Sequence, residues 1–233
     1  MFDIQKIIDY DKEILLALNG SDSLFWDRFM WIYTGMLIWI PLAIVLLYII
    51  FKNKGIKTLL LVIVMIGLVV TIADQVSSSF FKPYFQRFRP TQDPELMYLI
   101  DIVNGYRGGR YGFVSSHAAN SFGILTFVTL LIRSRELAYA LFTWAIINCF
   151  SRIYLGVHYL GDIIGGTLLG VVAGLIVYFL YSKINKKYFK ENKYYYSGSY
   201  SKGGYLLSDV NVIITVLFTS FFFVLFIGMF LLI

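Results

Sequence analysis

Six stretches of this 233-residue chain, near residues 29–51, 57–81, 115–133, 137–157, 158–181 and 209–233, are rich in apolar side chains and poor in charge. A helix of about 20 residues crosses the hydrocarbon core of a bilayer, and each stretch meets that length. In lipid every backbone N–H and C=O must be satisfied within the segment, so runs of this kind are expected to be helical. Composition agrees, with 58% hydrophobic and only 15% charged residues, far from an ordinary soluble domain. The expected architecture is all-α, a polytopic membrane helical bundle with six transmembrane helices forming one domain over residues 1–233. The single cysteine, Cys149, can form no internal disulfide and reads as packing. The partner is the lipid bilayer, and no nucleic acid is expected.

Residues 1–20 carry Asp3, Asp9, Asp11 and Glu13 where a cleavable signal peptide would have a basic start and an apolar run, so none is expected. Ile4, Ile7, Ile8, Leu15 and Leu18 recur near helical spacing. That pattern suits an amphipathic helix in the membrane interface or, equally, one resting on the outer ends of the bundle. Eleven of the twenty basic residues fall between spans one and two (Lys52, Lys54, Lys57), three and four (Arg133, Arg135), and five and six (Lys183, Lys186, Lys187, Lys190, Lys193, Lys202). The positive-inside rule makes these loops cytoplasmic and both termini extracytoplasmic. The connector 183–207, rich in Lys, Tyr, Ser and Gly, reads as a solvated loop, with anionic lipid head groups as the alternative contact. The opposite loops face outward, yet one holds Lys82, Arg87, Arg89, Arg107 and Arg110 against the rule. Such an excess of cations suits an anionic partner.

Both histidines of the chain lie at that outer end. Three segments would converge there: Lys82 to Arg89-Pro90, Val114-Ser115-Ser116-His117, and Ser151-Arg152 through His158 to Asp162. Lys82 and Arg89 supply fixed positive charge, and the planar fork of Arg152 can grip two phosphate oxygens. Ser115, Ser116 and the N–H groups of a helix start can cradle an anion beside His117. His158 and Asp162 are four residues apart, so the carboxylate can hold one ring nitrogen and leave the other free to attack. Each piece alone is commonplace, and a His/Asp pair is usually simple polar pairing; together, on one side, they point to phosphate chemistry. Asp74, within a span two turns before Lys82, either pairs with a cation or handles protons. Tyr106, Arg107 and Arg110 either contact a second phosphate or sugar head group or belong to a glycine-rich turning loop. No acidic cluster in these segments suggests a metal site, and no cofactor is expected.

The three segments resemble the signature of the type 2 phosphatidic acid phosphatase superfamily, Lys-x6-Arg-Pro, Pro-Ser-Gly-His and Ser-Arg-x5-His-x3-Asp. The first and third match at every defining position; in the second, Val114 stands for Pro and Ser116 for Gly. The resemblance implies metal-independent, two-step hydrolysis of a phosphorylated membrane lipid. His158 would be the nucleophile, Asp162 its orienting carboxylate, and His117 the acid and then the base. Lys82, Arg89, Ser115, Ser116 and Arg152 would bind the phosphoryl oxygens. The loop from Asn104 to Phe113 with Val114-Ser-Ser-His is similar to the lipid A and prenyl-pyrophosphate branches. That implies lipid A or undecaprenyl pyrophosphate ahead of phosphatidylglycerol phosphate or phosphatidic acid, a bacterial inner membrane, and an active site facing the periplasm or cell exterior. Phosphotransfer to another lipid would begin from the same phosphohistidine. Related vanadate haloperoxidases are soluble and fit six spans poorly, and a carrier that only recognised phospholipid heads would need the cations but no oriented nucleophile.

Overall fold

The computed structural model describes residues 4–188 and 199–230, and among them the chain is all-α. Its helices are α1 (Ile4–Leu18), α2 (Leu24–Tyr33), α3 (Ile40–Gln75), α4 (Lys82–Phe85), α5 (Ser116–Ile132), α6 (Arg135–Tyr154), α7 (Leu160–Tyr188) and α8 (Leu207–Phe230). Four helical runs are long and apolar enough to cross a membrane: Leu37–Phe85, Arg135–Tyr154, Leu160–Tyr188 and Leu207–Phe230. α5 is a shorter apolar helix.

α3 is two helical arms. Gly55 interrupts it with φ 77° and ψ 175°, a conformation that only glycine adopts readily. Leu42 and Ile66 would stand about 36 Å apart along a straight helix rising 1.5 Å per residue. Instead both line one apolar cavity of about 250 Å³ with Ile124 and Trp144, so the chain doubles back at Gly55. Beside this turn Lys52 Nζ and Asn53 Nδ2 donate to the Asp209 carboxylate at 2.6 and 2.8 Å, tying the hairpin to the start of α8.

Several expected boundaries shift for local reasons. The apolar stretch expected from residue 29 is broken, because α2 ends at Tyr33 and the Tyr33 carbonyl accepts the Trp39 indole N–H at 2.9 Å instead of continuing the helix. The second stretch runs past residue 81 through a wide turn with π-type hydrogen bonding, Val76–Phe81, so Lys82 lies on a helix and not in a loop. α7 continues to Tyr188, which puts Lys183, Lys186 and Lys187 on its last turns. Lysine is a good helix former, and cations are favoured at a helix C-terminus. Residues 189–198 of the expected 183–207 connector, Lys190 and Lys193 with them, lie outside the described residues. The remainder folds back: Ser201 Oγ and Gly203 N–H both donate to the Ile132 carbonyl, satisfying the C-terminus of α5.

α1 rests on the end of the bundle through Leu15 and Asp11, both buried, while Ile7, Tyr10 and Leu16 remain exposed. Asp11 Oδ1 accepts the Gly161 N–H at 2.9 Å, and Asp162 Oδ2 accepts the Tyr159 N–H at 3.1 Å. Two carboxylates thus satisfy the first N–H groups of α7, as in a capping box completed by a second helix.

Among the described helices, α5 and α7 share the most extensive contact. A Cβ on Gly166, Gly170 or Gly174 of α7 would overlap the carbonyl oxygens of Ser115, Ala119 and Gly123 of α5 in turn. Small residues four apart let two helix backbones approach, the packing available where lipid removes the hydrophobic drive. This contact lays the start of α5 against the start of α7. We expect Gly170→Leu to cost at least about 1–3 kcal/mol, as overpacking does, and to lower both melting temperature in detergent and activity. An unchanged melting temperature would refute so close a contact.

Candidate active site

The first cationic segment is shaped by a stop. α4 ends at Gln86, whose left-handed φ of 48° turns the chain out of the helix. Residues 87–89 then run extended against 110–112: Gly112 N–H donates to the Arg87 carbonyl at 2.8 Å and Arg89 N–H to the Arg110 carbonyl at 3.0 Å. Alternation in extended chain puts Arg87 and Arg89 on one side and Phe88 on the other. Phe88 faces Tyr111, while both arginines reach the α6–α7 junction.

His158 stands at that junction, just before α7, and is 2% exposed. Its Nδ1 lies 3.3 Å from Asp162 Oδ2, and Arg89 donates through Nη1 to Nε2 at 3.1 Å. Asp162 is fully buried and also accepts from Arg87 Nη1 at 2.9 Å. Arg89 further donates to the carbonyls of Tyr111 and Val157 at 3.2 Å. A carboxylate on one side and a guanidinium on the other fix the ring's tautomer, with the proton on Nδ1 and a lone pair on Nε2. Burial, with Arg89, Arg152 and Lys82 close by, pushes the His158 pKa well below its ordinary value, so the imidazole is neutral.

His117 lies in the first turn of α5, its Nε2 3.3 Å from the Thr34 carbonyl. Thr34 Oγ1 lies 3.4 Å from the same nitrogen, and when Nε2 carries a proton it donates to the carbonyl. Arg152, 5% exposed in the last turn of α6, donates to Thr34 Oγ1 at 3.0 Å and to the Tyr106 hydroxyl at 3.4 Å, with Tyr106 braced edge-on by Trp31. Lys82 donates to Ser116 Oγ at 2.7 Å, and Ser77 Oγ lies 2.7 Å from the same oxygen. Ser115 serves the helix itself: its Oγ caps Ala118 N–H and its own N–H goes to the Asp162 carbonyl. That leaves Ser116, and not Ser115, turned to the cation.

The structure therefore gathers His158, Asp162 and Arg89 directly, with Lys82 at Ser116 and Arg152 joined to His117 through Thr34. Arg107 and Arg110 are engaged elsewhere, Arg107 with the Thr91 carbonyl at 3.1 Å and Arg110 over the rings of Phe88 and Tyr111. Asp74 forms no ion pair among the described residues. Thr34, Ser77, Arg87 and Asp11 escape the motif pattern. Thr34-Gly35 as a helix breaker inside an apolar run, and Asp11 on the same face of α1 as Leu15, are the signals that could have marked two of them.

A family model, described as PAP2 superfamily, matches residues 58–186. The chain belongs to the PAP2 superfamily. A lipid A 4'-phosphatase of Bacteroides thetaiotaomicron is 43% identical to this PAP2 chain over 186 residues, covering 79% of it and 82% of that protein. A lipid A 4'-phosphatase of Porphyromonas gingivalis is 35% identical over 178 residues, covering 76% of the chain and 75% of that protein. The fold is shared with the crystal structure of a transmembrane PAP2-type phosphatidylglycerolphosphate phosphatase from Bacillus subtilis. Its TM-score is 0.57 at 19% identity, with 80% of this chain and 90% of that one covered.

In this PAP2 protein Lys82, Arg89 and Arg152 have hydroxyls, carbonyls and an imidazole as partners, and none has a carboxylate within ion-pairing distance among the described residues. Three cations without ion-paired acids beside two histidines form a cluster whose charge suits a multiply charged anion. Because the chain has only two histidines, His117→Ala leaves one imidazole to observe. Its ¹⁵N spectrum should show the neutral Nδ1–H form through pH 6.5, with protonation only well below; half-protonation near 6.5 would contradict the geometry.

Proposed function

We propose that this protein is a metal-independent lipid phosphate phosphatase that removes the 4'-phosphate of lipid A through a phosphohistidine. The observation that carries this reading is the neutral, oriented His158 facing three cations that lack acidic partners. His158 Nε2 attacks phosphorus, forming an N–P bond as the P–O bond to the lipid breaks, and His117, entering the step as the imidazolium beside the bound phosphate, gives its Nε2 proton to the departing oxygen and becomes neutral. Neutral His117 then takes a proton from water, the water oxygen bonds to phosphorus, the N–P bond breaks, and inorganic phosphate leaves. Lys82, Arg89 and Arg152, with Ser116, stabilise charge on the phosphoryl oxygens, and Asp162 stabilises the imidazolium-like ring. The scheme uses no metal and no cofactor. Lipid A is favoured as substrate because both lipid A 4'-phosphatase relatives span most of the chain. Tyr106, over Arg152 and beside Trp31, is placed to lie against the sugar that carries the phosphate.

The same reading includes six crossings, counting the two arms of α3 separately and α5 as a short one. The site then opens at the extracytoplasmic face of an inner membrane, with α1 at its interface and both termini on that side. In intact cells a cysteine at Tyr98, 84% exposed in the loop before the site, should react with a membrane-impermeant maleimide, Cys149 being buried; labelling only after lysis would reverse the orientation.

The decisive assay is phosphate release by purified protein with chelator present, from lipid A and undecaprenyl pyrophosphate in parallel. Release from lipid A is expected, with loss of at least about 10⁴-fold in His158→Ala, the scale on which a triad histidine matters. Release from undecaprenyl pyrophosphate alone would overturn the substrate, and undiminished release by the variant would overturn the site.

A further inference from the structure

Among the described residues Arg87 is the one arginine near the site that forms ion pairs with carboxylates, and it meets two. Its Nη1 donates to Asp162 Oδ1 at 2.9 Å and its Nη2 to Asp11 Oδ2 at 2.7 Å. Asp11 in turn holds the Gly161 N–H, and the guanidinium lies 4.1 Å from the ring centre of Tyr159, whose hydroxyl donates to Asp93 at 2.9 Å. The fork of Arg87 thus spans from α1 to the carboxylate behind the nucleophile. Lysine, a single point charge, cannot reproduce that span.

Asp162 is fully buried, and a carboxylate so placed is costly unless its charge is matched and its lone pairs are filled. Oδ2 is used by the Tyr159 N–H and by His158, and Oδ1, among the described residues, by Arg87. We propose that Arg87, anchored by Asp11, is a positioning residue that holds the Asp162 carboxylate ionised and in place, so that His158 keeps its proton on Nδ1 and its lone pair on Nε2. The proposal rests on His158 as nucleophile. It makes α1 a working part of the site and not merely a cover, because half of the arginine's fixation comes from that helix.

Arg87 lines a cleft of about 620 Å³ between α1 and the 85–95 segment, walled by Ile7, Ile8, Phe85, Phe88 and Phe113. A small guanidinium ion can enter there. The test measures kcat, KM and melting temperature for Arg87→Ala, Arg87→Lys and Asp11→Asn, with methylguanidinium added to each and His158→Ala as the reference. Arg87→Ala should lose about 10–100-fold in kcat, the cost of removing a partner that orients a histidine elsewhere, with KM changed less than threefold. Methylguanidinium should restore part of that kcat saturably in Arg87→Ala and do nothing for His158→Ala. Arg87→Lys should remain at least tenfold down. Asp11→Asn should lose less, and add nothing in an Arg87→Ala background.

A kcat within threefold of wild type in Arg87→Ala, or in Arg87→Lys if the alanine variant does not fold, overturns the proposal. So does a lowered melting temperature with normal kcat, which would make the bridge purely structural. Independent, additive losses would remove Asp11 from the relay. If His158→Ala itself stays active, the phosphohistidine reading fails first, and that result is separate from any outcome at Arg87.

Discussion

The site depends on how closely α5 approaches α7. Histidine, serine and arginine side chains from distant parts of the sequence meet only because Gly166, Gly170 and Gly174 let one backbone lie on the carbonyls of the other. The same contact lets Ser115 give its N–H to the Asp162 carbonyl at 3.0 Å, stitching the two helix starts together at the chemistry. In lipid this intimacy comes from shape and hydrogen bonding and not from exclusion of water.

Charge is distributed around that seam with a clear asymmetry. Behind His158, Asp11, Asp162 and Arg87 satisfy one another. Burial works against the charge of Arg87, but Asp162 and Asp11 outweigh it and hold its pKa above the ordinary value. In front, Arg89 makes no ion pair among the described residues; burial and the nearby Arg152 lower its pKa by more than Tyr106 and Asp162 raise it. One arginine is therefore tied up by carboxylates and the other keeps only neutral hydrogen-bond partners, two residues apart on the same side of an extended segment. The two roles divide by which way the local carboxylates point.

Sequence reading recovered what is local and periodic. Long apolar runs announced helices, and the i, i+4 spacing of His158 and Asp162 announced their pairing even though α7 starts only at Leu160. It failed where tertiary contacts override pattern. Nothing in an apolar run starting at residue 29 says that Trp39 will take the Tyr33 carbonyl and end α2, so Thr34 was invisible as a partner of both Arg152 and His117. Ser115 reads as an anion donor in sequence; in the fold its Oγ accepts the Ala118 N–H and its own N–H goes to the Asp162 carbonyl, which leaves its hydroxyl proton as what it has to give. Arg87 was legible only as a charge on the wrong side of the membrane, because its two acids come from residues 76 and 75 positions away. Arg107 and Arg110, similar to it in sequence, point into their own loop.

The neutral oxygens around the three free cations have a consequence for turnover. Lys82 rests on Ser116, Arg152 on Thr34 and Tyr106, and Arg89 on two carbonyls. In the proposed reaction an arriving dianion would displace hydrogen bonds and break no ion pair. On departure of the product the same hydroxyls and carbonyls would close over the exposed N–H groups, so no unsolvated charge would be stranded. Such a lining would let phosphate leave without any ion pair having to re-form.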